Sequence, residues 1–322
     1  MSIESLKISI IIITYNQENL IQRALDSILC QKEFIFEIII SDDCSTDNTW
    51  NVIQNYKKQY SNIIKPYRHN KNVGIFGNIE STWNKPSGDI IFFLAGDDAF
   101  EKKLFENTHK LVKKNNINFK NNAFLVYFDY KNINPQGKES IISNSIVTKH
   151  NSFRLKIRRI ITNRTMGMSS TVLKKHFPVK RKDGISALEE GMIDIQPHMF
   201  SDKCYYMPYV GSIYYSQIGV SSWLNKQDYL RTRIQFYDAV INMKEYVNSS
   251  DIRWLKYLKD KTLFISYPNL KNSYFKSLVL FSITNFNYGF TFICKEYKNY
   301  IYNMGKYLYS KFNKKLSFVI KK

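Results

Sequence analysis

The sequence predicts an α/β protein built on a doubly wound, mostly parallel sheet with helices on both faces. A continuous β-branched run, "KISIIII" at residues 7–13, is typical of a strand buried on both faces of such a sheet. Strand patterns alternate with helix patterns through the first hundred residues, which favours parallel pairing. The loops after the strands are polar and acidic, and ligands of these sheets bind at the carboxyl ends of the strands.

The first hundred residues repeat a unit of strand, loop and helix. After "TYNQ", apolar residues recur at helical spacing in "ENLIQRALDSILCQ". A second strand in "FEIIIS" leads through "DDCSTDNT" to the helix pattern "TWNVIQNYKKQY". A third unit starts near "IIKPYRHN", passes the loop "KNVGIFG" and the helix pattern "NIESTWNK", and ends with the strand "IIFFLAGDD". The strand ends "TYN", "SDDCSTD" and "AGDD" should therefore meet at one edge of the sheet.

The rest of the chain divides into two parts. "AFLVYFDYKNIN" and "CYYMPYVGSIYYS" predict further strands, with a helix in "LEEGMIDIQPHMF" between them. After residue 226 no alternation of strand and turn is evident, and "QDYLRTRIQFYDAVINMKEYV" has helical periodicity. We therefore expect a domain over residues 1–225, with halves at 1–120 and 121–225, and a basic, aromatic-rich helical region over 226–322.

Charge and cysteine content limit the class of partner and the compartment. The formal charge of +20 predicts an anionic partner: nucleic acid, a membrane surface or a phosphorylated small molecule. The four cysteines have no paired spacing, which favours buried thiols in a reducing cytoplasm. No apolar run reaches the roughly 20 residues of a spanning helix, and the N-terminus lacks a signal-peptide pattern. The lysine-rich, aromatic C-terminus suits peripheral contact with an anionic membrane, or else a solvated helix.

Two adjacent carboxylates, Asp97 and Asp98, end the strand "IIFFLAGDD". Neighbouring carboxylates repel each other, and their charge is costly at a low-dielectric strand end unless a cation compensates it. Mg²⁺ or Mn²⁺ is the natural partner, because these ions take one or two carboxylates together with substrate phosphates. A solvated acidic turn is the alternative.

The other two loops carry complementary groups. Asp42 and Asp43 end the second strand, where a carboxylate can accept hydrogen bonds from a base or a ribose. In "HNKNVGIFGN", Gly74 and Gly77 permit close approach of a ligand to the backbone at a helix start, and the basic residues beside them could contact a phosphate. Neither GxGxxG nor GxxxxGK[ST] occurs, so neither standard phosphate-binding loop is indicated.

The ordered motifs "IIIITYNQ", "SDDCSTDNT", "NKNVGIFGN" and "SGDIIFFLAGDD" resemble those of the inverting family 2 glycosyltransferases, which have the Rossmann-like GT-A fold. The resemblance covers residues 7–105 strongly and 160–224 weakly. It implies metal-dependent transfer, with Mn²⁺ or Mg²⁺, of a sugar from a nucleotide-sugar, UDP-sugar favoured, to a hydroxyl of a growing surface glycan such as capsule or lipopolysaccharide. The implied acceptor is a glycan or lipid-linked glycan rather than nucleic acid. We expect a cytoplasmic enzyme at the inner face of the cell membrane.

The resemblance also implies roles for single residues. The nucleotide-sugar site would contain Thr14, Tyr15, Asn16, Asp42, Asp43, Lys71, Asn72, Gly74 and Asp97. Asp97 and Asp98 would hold the metal. Ala95 stands where the family usually has the first aspartate of its D-x-D motif, so the metal should depend more on the phosphates of the nucleotide.

An inverting transfer needs a carboxylate base for the acceptor hydroxyl. In "ALEEGMIDIQ" the resemblance implies Glu190 first, then Glu189 and Asp194; helix capping is the alternative reading of these residues. The segment "YYSQIGVSSW" resembles the one that follows the base helix. Its Ser221, Ser222 and Trp223 would contact the acceptor or the diphosphate.

Two other classes of function stay open on the sequence. A sugar nucleotidyltransferase would also need a metal and a nucleotide pocket, but it normally has a glycine-rich loop after the first strand, and "TYNQEN" has no glycine. A non-catalytic protein that binds nucleotides or nucleic acid would suit the positive charge. It would leave the acidic strand ends unexplained.

Overall fold

The computed structural model describes residues 6–82, 84–118, 124–145, 168–171, 203–216 and 218 of the first part of the chain. Later described residues are 230, 234–235, 237–238, 240–242, 248–266, 271–284, 297–304 and 306–309. The chain divides into two compact units, Met1–Leu224 and Asn225–Lys322.

Four parallel strands form the first half of the sheet in the first unit. They are β1 (Ile8–Thr14), β2 (Glu37–Asp42), β3 (Ile64–Arg68) and β4 (Ile90–Ala95), in the spatial order β3-β2-β1-β4. β2 is buried along its whole length, and β1 is buried at every position except the half-exposed Ile13. The continuous isoleucine runs therefore form central strands, as the sequence predicts.

Four α-helices connect or flank these strands: α1 (Ile21–Leu29), α2 (Thr49–Gln59), α3 (Gly74–Thr82) and α4 (Leu104–Lys114). A short 3₁₀ helix, Lys32–Phe34, follows α1. Helix α3 begins at Gly74, inside the segment "KNVGIFG" for which the sequence predicts a loop. The side-chain oxygen of Asn72 accepts the Gly74 N–H at 3.0 Å and so caps the first turn.

The second half of the sheet is mixed in direction. Its strands are β5 (Ala99–Phe100), β6 (Phe124–Ile133), β7 (Glu139–Ile142), β8 (Met168–Thr171) and β9 (Lys203–Tyr215). The order continues β4-β8-β6-β9-β5, with β7 beside β6. β8 is antiparallel to both of its neighbours, whereas β6 and β9 are parallel. The predicted α/β class is confirmed.

Aromatic packing fixes the position of the turn between β4 and β5. The Phe92 ring, fully buried in β4, lies 5.8 Å from the ring of Phe100 and 5.1 Å from that of Phe105, edge to face in both cases. Phe100 and Phe105 pack on each other in the same way at 5.6 Å. Because these rings lie on both sides of the "GDD" turn, the core holds the turn in place.

The second unit is helical where it is described. Its principal helices are α5 (Ser249–Ser266) and α6 (Lys271–Thr284), and residues 297–304 and 306–309 are also helical. Tyr274 of α6 is fully buried and stacks on Tyr257 and Phe264 of α5 at 5.9 and 5.4 Å. The predicted helical C-terminal region is thereby confirmed. None of the helices in the described residues is long and apolar enough to cross a lipid bilayer.

Candidate functional site

Three acidic or polar strand ends meet at one edge of the sheet. β1 lies between β2 and β4, and Thr14 is the register partner of Asp42. Ile13 is likewise the partner of Ala95, which directly precedes the "GDD" turn. The parallel topology therefore places "TYN", "SDD" and "AGDD" side by side, as the sequence predicts.

Side-chain hydrogen bonds join the loop after β1 to the loop after β2. Asn16 has a left-handed φ of 52°; its N–H donates to Ser45 Oγ at 2.9 Å, and its side-chain oxygen accepts the Thr46 N–H at 2.8 Å. The Gln17 N–H donates to Thr49 Oγ1 at 2.7 Å. The two loops thus form one rigid wall of the site, and Asn16 is part of that wall. Tyr15, beside it, is half-buried.

Asp42 is fully buried, and the protein occupies both of its carboxylate oxygens. One oxygen accepts the Ser45 hydroxyl, and the other accepts the Ser45 N–H at 3.2 Å and lies 3.1 Å from Arg68 Nε. Burial raises the pKa of this carboxyl, while the hydrogen bonds from Ser45 and the charge of Arg68 oppose the rise. The structure therefore gives Asp42 a bracing role between β2, β3 and the loop after β2.

Asp43 anchors the third loop. Its carboxylate is 3% exposed, and Oδ1 accepts the Val73 N–H at 2.7 Å. Lys71 and Asn72, just before Val73, are exposed. The predicted loop residues are therefore held at the same edge of the sheet as Asp42, which ends β2, and Asp43, which follows it.

The glycine of the "GDD" turn is required by its surroundings. The Gly96 N–H donates to the Ile13 carbonyl at 2.9 Å. A Cβ added at Gly96 would lie 2.4 Å from Gln17 Oε1 and 3.0 Å from Thr14 Oγ1. These two atoms are themselves hydrogen-bonded at 2.7 Å. The turn therefore packs directly on the loop after β1.

The structure separates the two adjacent aspartates. Asp97 is half-buried; burial raises the pKa of its carboxyl, and a hydrogen bond from Gln17 and the charge of Arg23 oppose this. Asp98 is 8% exposed, and its Oδ1 accepts the Tyr215 N–H at 3.1 Å, at the end of β9. Asp98 therefore joins the turn to β9, 117 residues away in sequence.

Arg23 is a member of this site that the sequence does not single out. Its Nη2 donates to the Asp97 carbonyl oxygen, and its guanidinium carbon lies 3.4 Å from the centroid of the Tyr215 ring. The only local signal is an arginine on the first turn of α1, close to the buried Ile21 and Ala24. Its partner Asp97 is 74 residues away in sequence, so the local sequence pattern does not predict the contact.

The donor atoms of the turn suit a hard divalent cation. Carboxylate oxygens are the ligands that Mg²⁺ and Mn²⁺ prefer, and Asp97 offers such oxygens at the strand edge. Asp98 is 8% exposed and bonded to the β9 backbone, whereas Asp97 is half-buried, so Asp97 fits better as the metal ligand. Within the described ranges there is no cluster of three or more His, Cys, Asp or Glu side chains able to hold a metal.

Six predicted residues lie outside the described residues, and their roles stay predictions. They are the candidate bases and the acceptor-segment residues: Glu189, Glu190, Asp194, Ser221, Ser222 and Trp223.

The sequence model of the family described as "Glycosyl transferase family 2" matches residues 9–177, more than half of the chain. The chain belongs to glycosyl transferase family 2. The match includes all three strand ends that build the site.

Curated relatives of this family 2 protein match about a third of its length. An uncharacterized protein of Mycobacterium tuberculosis is 37% identical over 97 residues, which are 30% of this chain and 28% of the relative. The Campylobacter jejuni GalNAc(5)-diNAcBac-PP-undecaprenol β-1,3-glucosyltransferase is 37% identical over 92 residues, 29% of this chain and 30% of the relative. The chain thus matches less than a third of the length of either relative.

Solved structures share the fold over a longer span. Staphylococcus aureus TarS 1-349 in complex with UDP-GlcNAc has a TM-score of 0.59 and 15% sequence identity, over 87% of this chain and 81% of that one. A second crystal structure of TarS 1-349, named without a ligand, has a TM-score of 0.56 and 16% identity, over 81% of this chain and 72% of that one. At this identity the likeness shows the fold, and it agrees with the expected GT-A architecture.

Proposed function

We propose that this family 2 protein transfers a sugar from a nucleotide-sugar, UDP-sugar favoured, to a hydroxyl of a growing surface glycan, with inversion at the anomeric carbon. The observation that carries the proposal is the meeting of the β1 loop, Asp43 and Asp97 at one sheet edge, in a chain of this family. The Campylobacter relative is named as a glucosyltransferase for a polyprenyl-diphosphate-linked glycan, and the TarS fragment was solved with UDP-GlcNAc. The first name supports an acceptor of this class, and the second supports a UDP-sugar donor.

The nucleotide would lie on the wall that the loops after β1 and β2 form. Thr14 to Asn16 would line one side of the nucleotide, and Lys71, Asn72 and Gly74 would line the other. Asp43 is the better candidate than Asp42 for contact with the base or ribose, because Ser45 and Arg68 occupy both oxygens of Asp42. The exposed Lys71 would meet a phosphate.

Asp97 would hold Mg²⁺ or Mn²⁺, and the bound ion would stabilise the negative charge that develops on the departing diphosphate. Ala95 contributes no carboxylate, so the phosphates of the donor would complete the coordination. A carboxylate would accept the proton of the acceptor hydroxyl. Glu190 is the first candidate for this base, followed by Glu189 and then Asp194. The hydroxyl oxygen attacks the anomeric carbon while the bond between that carbon and the diphosphate oxygen breaks, and the diphosphate leaves with the nucleotide. Ser221, Ser222 and Trp223 would contact the acceptor or the diphosphate.

A screen of UDP-, GDP- and dTDP-sugars tests this function. Each nucleotide-sugar is added to the protein with Mn²⁺ or with EDTA, and thermal stabilisation and nucleotide release are measured. We expect a UDP-sugar to stabilise the protein and to release UDP when Mn²⁺ is present. Binding of no nucleotide-sugar in either condition would contradict the proposal, and nucleotide-sugar synthesis from sugar phosphate and UTP would favour a nucleotidyltransferase.

The second unit carries a surface suited to an anionic membrane, where a lipid-linked acceptor would lie. Four large side chains in the helical residues 297–304 and 306–309 are strongly exposed: Ile301 (67%), Tyr302 (62%), Leu308 (56%) and Tyr309 (69%). They recur at positions that share one helix face, and Lys298 and Lys306 are exposed beside them. Tyr300 and Tyr307 pack instead on aromatic rings of α5 and α6.

Charge complementarity favours a lipid surface over a protein partner for this face. Residues 297–322 contain seven lysines and no aspartate or glutamate. Exposed aromatic and aliphatic side chains interleaved with lysine are typical of helices that lie in the headgroup region of anionic bilayers.

Vesicle flotation tests this contact. The full chain is mixed with vesicles of phosphatidylglycerol and phosphatidylcholine, or of phosphatidylcholine alone. We expect binding only to the anionic vesicles, and a loss of about tenfold or more in the double variant Ile301→Ser/Leu308→Ser, because two large apolar side chains leave the bilayer interface. Ile141→Ser, at a residue 64% exposed in the first unit, is the control. Unchanged flotation of the double variant, or preferred binding to an oligonucleotide, would contradict the contact.

A further inference from the structure

Arg23 lies at the junction of three elements of the first unit. It stands on the first turn of α1, its Nη2 donates to the Asp97 carbonyl oxygen, and its guanidinium stacks 3.4 Å from the Tyr215 ring centroid. Guanidinium groups bind carbonyl oxygens and stack on aromatic faces at the same time because they are planar. One side chain therefore touches both the "GDD" turn and the end of β9.

These contacts close a ring of four residues. The Tyr215 N–H donates to Asp98 Oδ1 at 3.1 Å, Asp98 follows Asp97 in the chain, and Arg23 contacts both Asp97 and the Tyr215 ring. On its other side the turn is packed against Gln17 and leaves no room for a Cβ at Gly96. The backbone that carries Asp97 is thus held from two directions.

The contacts of the Arg23 guanidinium leave one of its donors unused. Its Nε is buried and has no hydrogen-bond partner, an arrangement that costs free energy in a folded protein. Its charge acts on the Asp97 carboxylate, yet the hydrogen bond goes to the Asp97 carbonyl oxygen. The guanidinium therefore orients the residue without bonding its carboxylate, which accepts a hydrogen bond from the neutral Gln17 and can still meet another cation.

We infer that Arg23 is a positioning residue for Asp97: it fastens the "GDD" turn to the end of β9 and so fixes the carboxylate that faces the donor diphosphate. The inference rests on the function proposed above.

Two variants and a control separate this role from a general contribution to folding. Arg23→Met keeps the length of the side chain without its charge, and Arg23→Lys keeps the charge without the planar fork. Lys110→Met removes one charge from an exposed pair with Glu106 on α4 and serves as the control. Turnover is measured as UDP release from the donor that the nucleotide-sugar screen selects, and UDP affinity is measured in EDTA.

We expect Arg23→Met to lower kcat by about tenfold or more, the scale of a lost hydrogen bond from a charged group. Arg23→Lys should fall between Arg23→Met and the wild type. UDP affinity in EDTA should change little, because the nucleotide wall is built from other residues. A kcat for Arg23→Met equal to that of Lys110→Met would overturn the inference.

Amide hydrogen exchange gives a readout that needs no activity. In Arg23→Met, residues 95–100 and 212–216 should exchange faster together, while β1 and β2 stay protected. Unchanged exchange in these two segments would overturn the inference. If the wild type releases UDP from no donor, the proposed function fails, and the exchange result still decides whether Arg23 joins the two segments.

Discussion

Glu37 provides the sharpest prediction about the stability of the sheet that carries the site. It begins β2 at the opposite edge from the site and is 1% exposed. Its Oε1 accepts the Ser9 hydroxyl at 2.7 Å and the Ser87 hydroxyl at 2.8 Å, and its Oε2 accepts Lys65 Nζ at 2.6 Å. One carboxylate thus joins β1, β2, β3 and the segment before β4.

The pKa of Glu37 gives the size of the effect. Burial alone would raise this pKa, but the hydrogen bonds from Lys65, Ser87 and Ser9 lower it from 4.5 to about 2. One pKa unit is worth about 1.4 kcal/mol, so the ionised carboxylate contributes about 3 kcal/mol to the free energy of unfolding at neutral pH. Because the pKa is lower in the folded state, this contribution is complete above pH 4.5 and is lost as the pH falls toward 2.

Urea denaturation of the wild type and Glu37→Gln at pH 7, 5 and 3 tests the magnitude and the sign. We expect the variant to be less stable by up to about 3 kcal/mol at pH 7. The difference should shrink at pH 3, because the carboxyl of the unfolded wild type takes up a proton below pH 4.5 while the folded one stays ionised down to about pH 2. Glu106→Gln, in the exposed i,i+4 pair with Lys110, is the matched control and should show no comparable difference. Equal stability of the wild type and Glu37→Gln at pH 7, or a difference that is constant with pH, would refute the reasoning.

Three further changes test the site. Gly96→Ala should cost about 1–3 kcal/mol of stability and weaken UDP binding, because its Cβ would overlap Gln17 Oε1; an unchanged melting temperature would contradict this. Asn16→Ala should lower stability by about 1–2 kcal/mol, since the variant loses the bond to Thr46 and must adopt a left-handed φ; denaturation measures it. Asp43→Ala should weaken UDP binding about tenfold by calorimetry, and wild-type affinity would argue against its role.

The sequence pattern predicts the parallel half of the sheet because interactions between residues close in sequence determine its strands and helices. The short, β-branched isoleucine runs of β1 and β2 favour buried strands, and the spacing of the apolar residues of α1 indicates its buried face. Once the strands are parallel, their carboxyl ends must share an edge, so Thr14, Asp42 and the "GDD" turn come together without further information.

The second half depends on pairings that no local pattern encodes. β8 is a four-residue strand of mostly polar composition, inserted antiparallel between β4 and β6, and its sequence gives no strand signal. The separate environments of Asp97 and Asp98 also depend on β9. The Tyr215 N–H at the end of this strand bonds Asp98 and lies 117 residues later in the chain. Sequence alone therefore treats the two aspartates as one pair, whereas the structure bonds Asp98 to the β9 backbone.

The same limit applies to Asp42 and Arg23. The motif implies that Asp42 contacts the nucleotide, but only the β2–β3 register shows that Arg68 lies beside its carboxylate. Arg23 meets Asp97 because α1 packs beside the turn, which is a tertiary contact. In both cases the partner of the residue is set by the packing of distant elements.

Release of UDP from a UDP-sugar by the wild type, Asp97→Asn and Asp98→Asn, with Mn²⁺ and with EDTA, tests the central claim most directly. We expect metal-dependent release by the wild type and a loss of about 100-fold or more in Asp97→Asn. Asp98→Asn should lose less activity and more stability, because its carboxylate bonds to the Tyr215 amide. Wild-type turnover by Asp97→Asn in the presence of Mn²⁺, or no release from any UDP-sugar by the wild type, would contradict the claim.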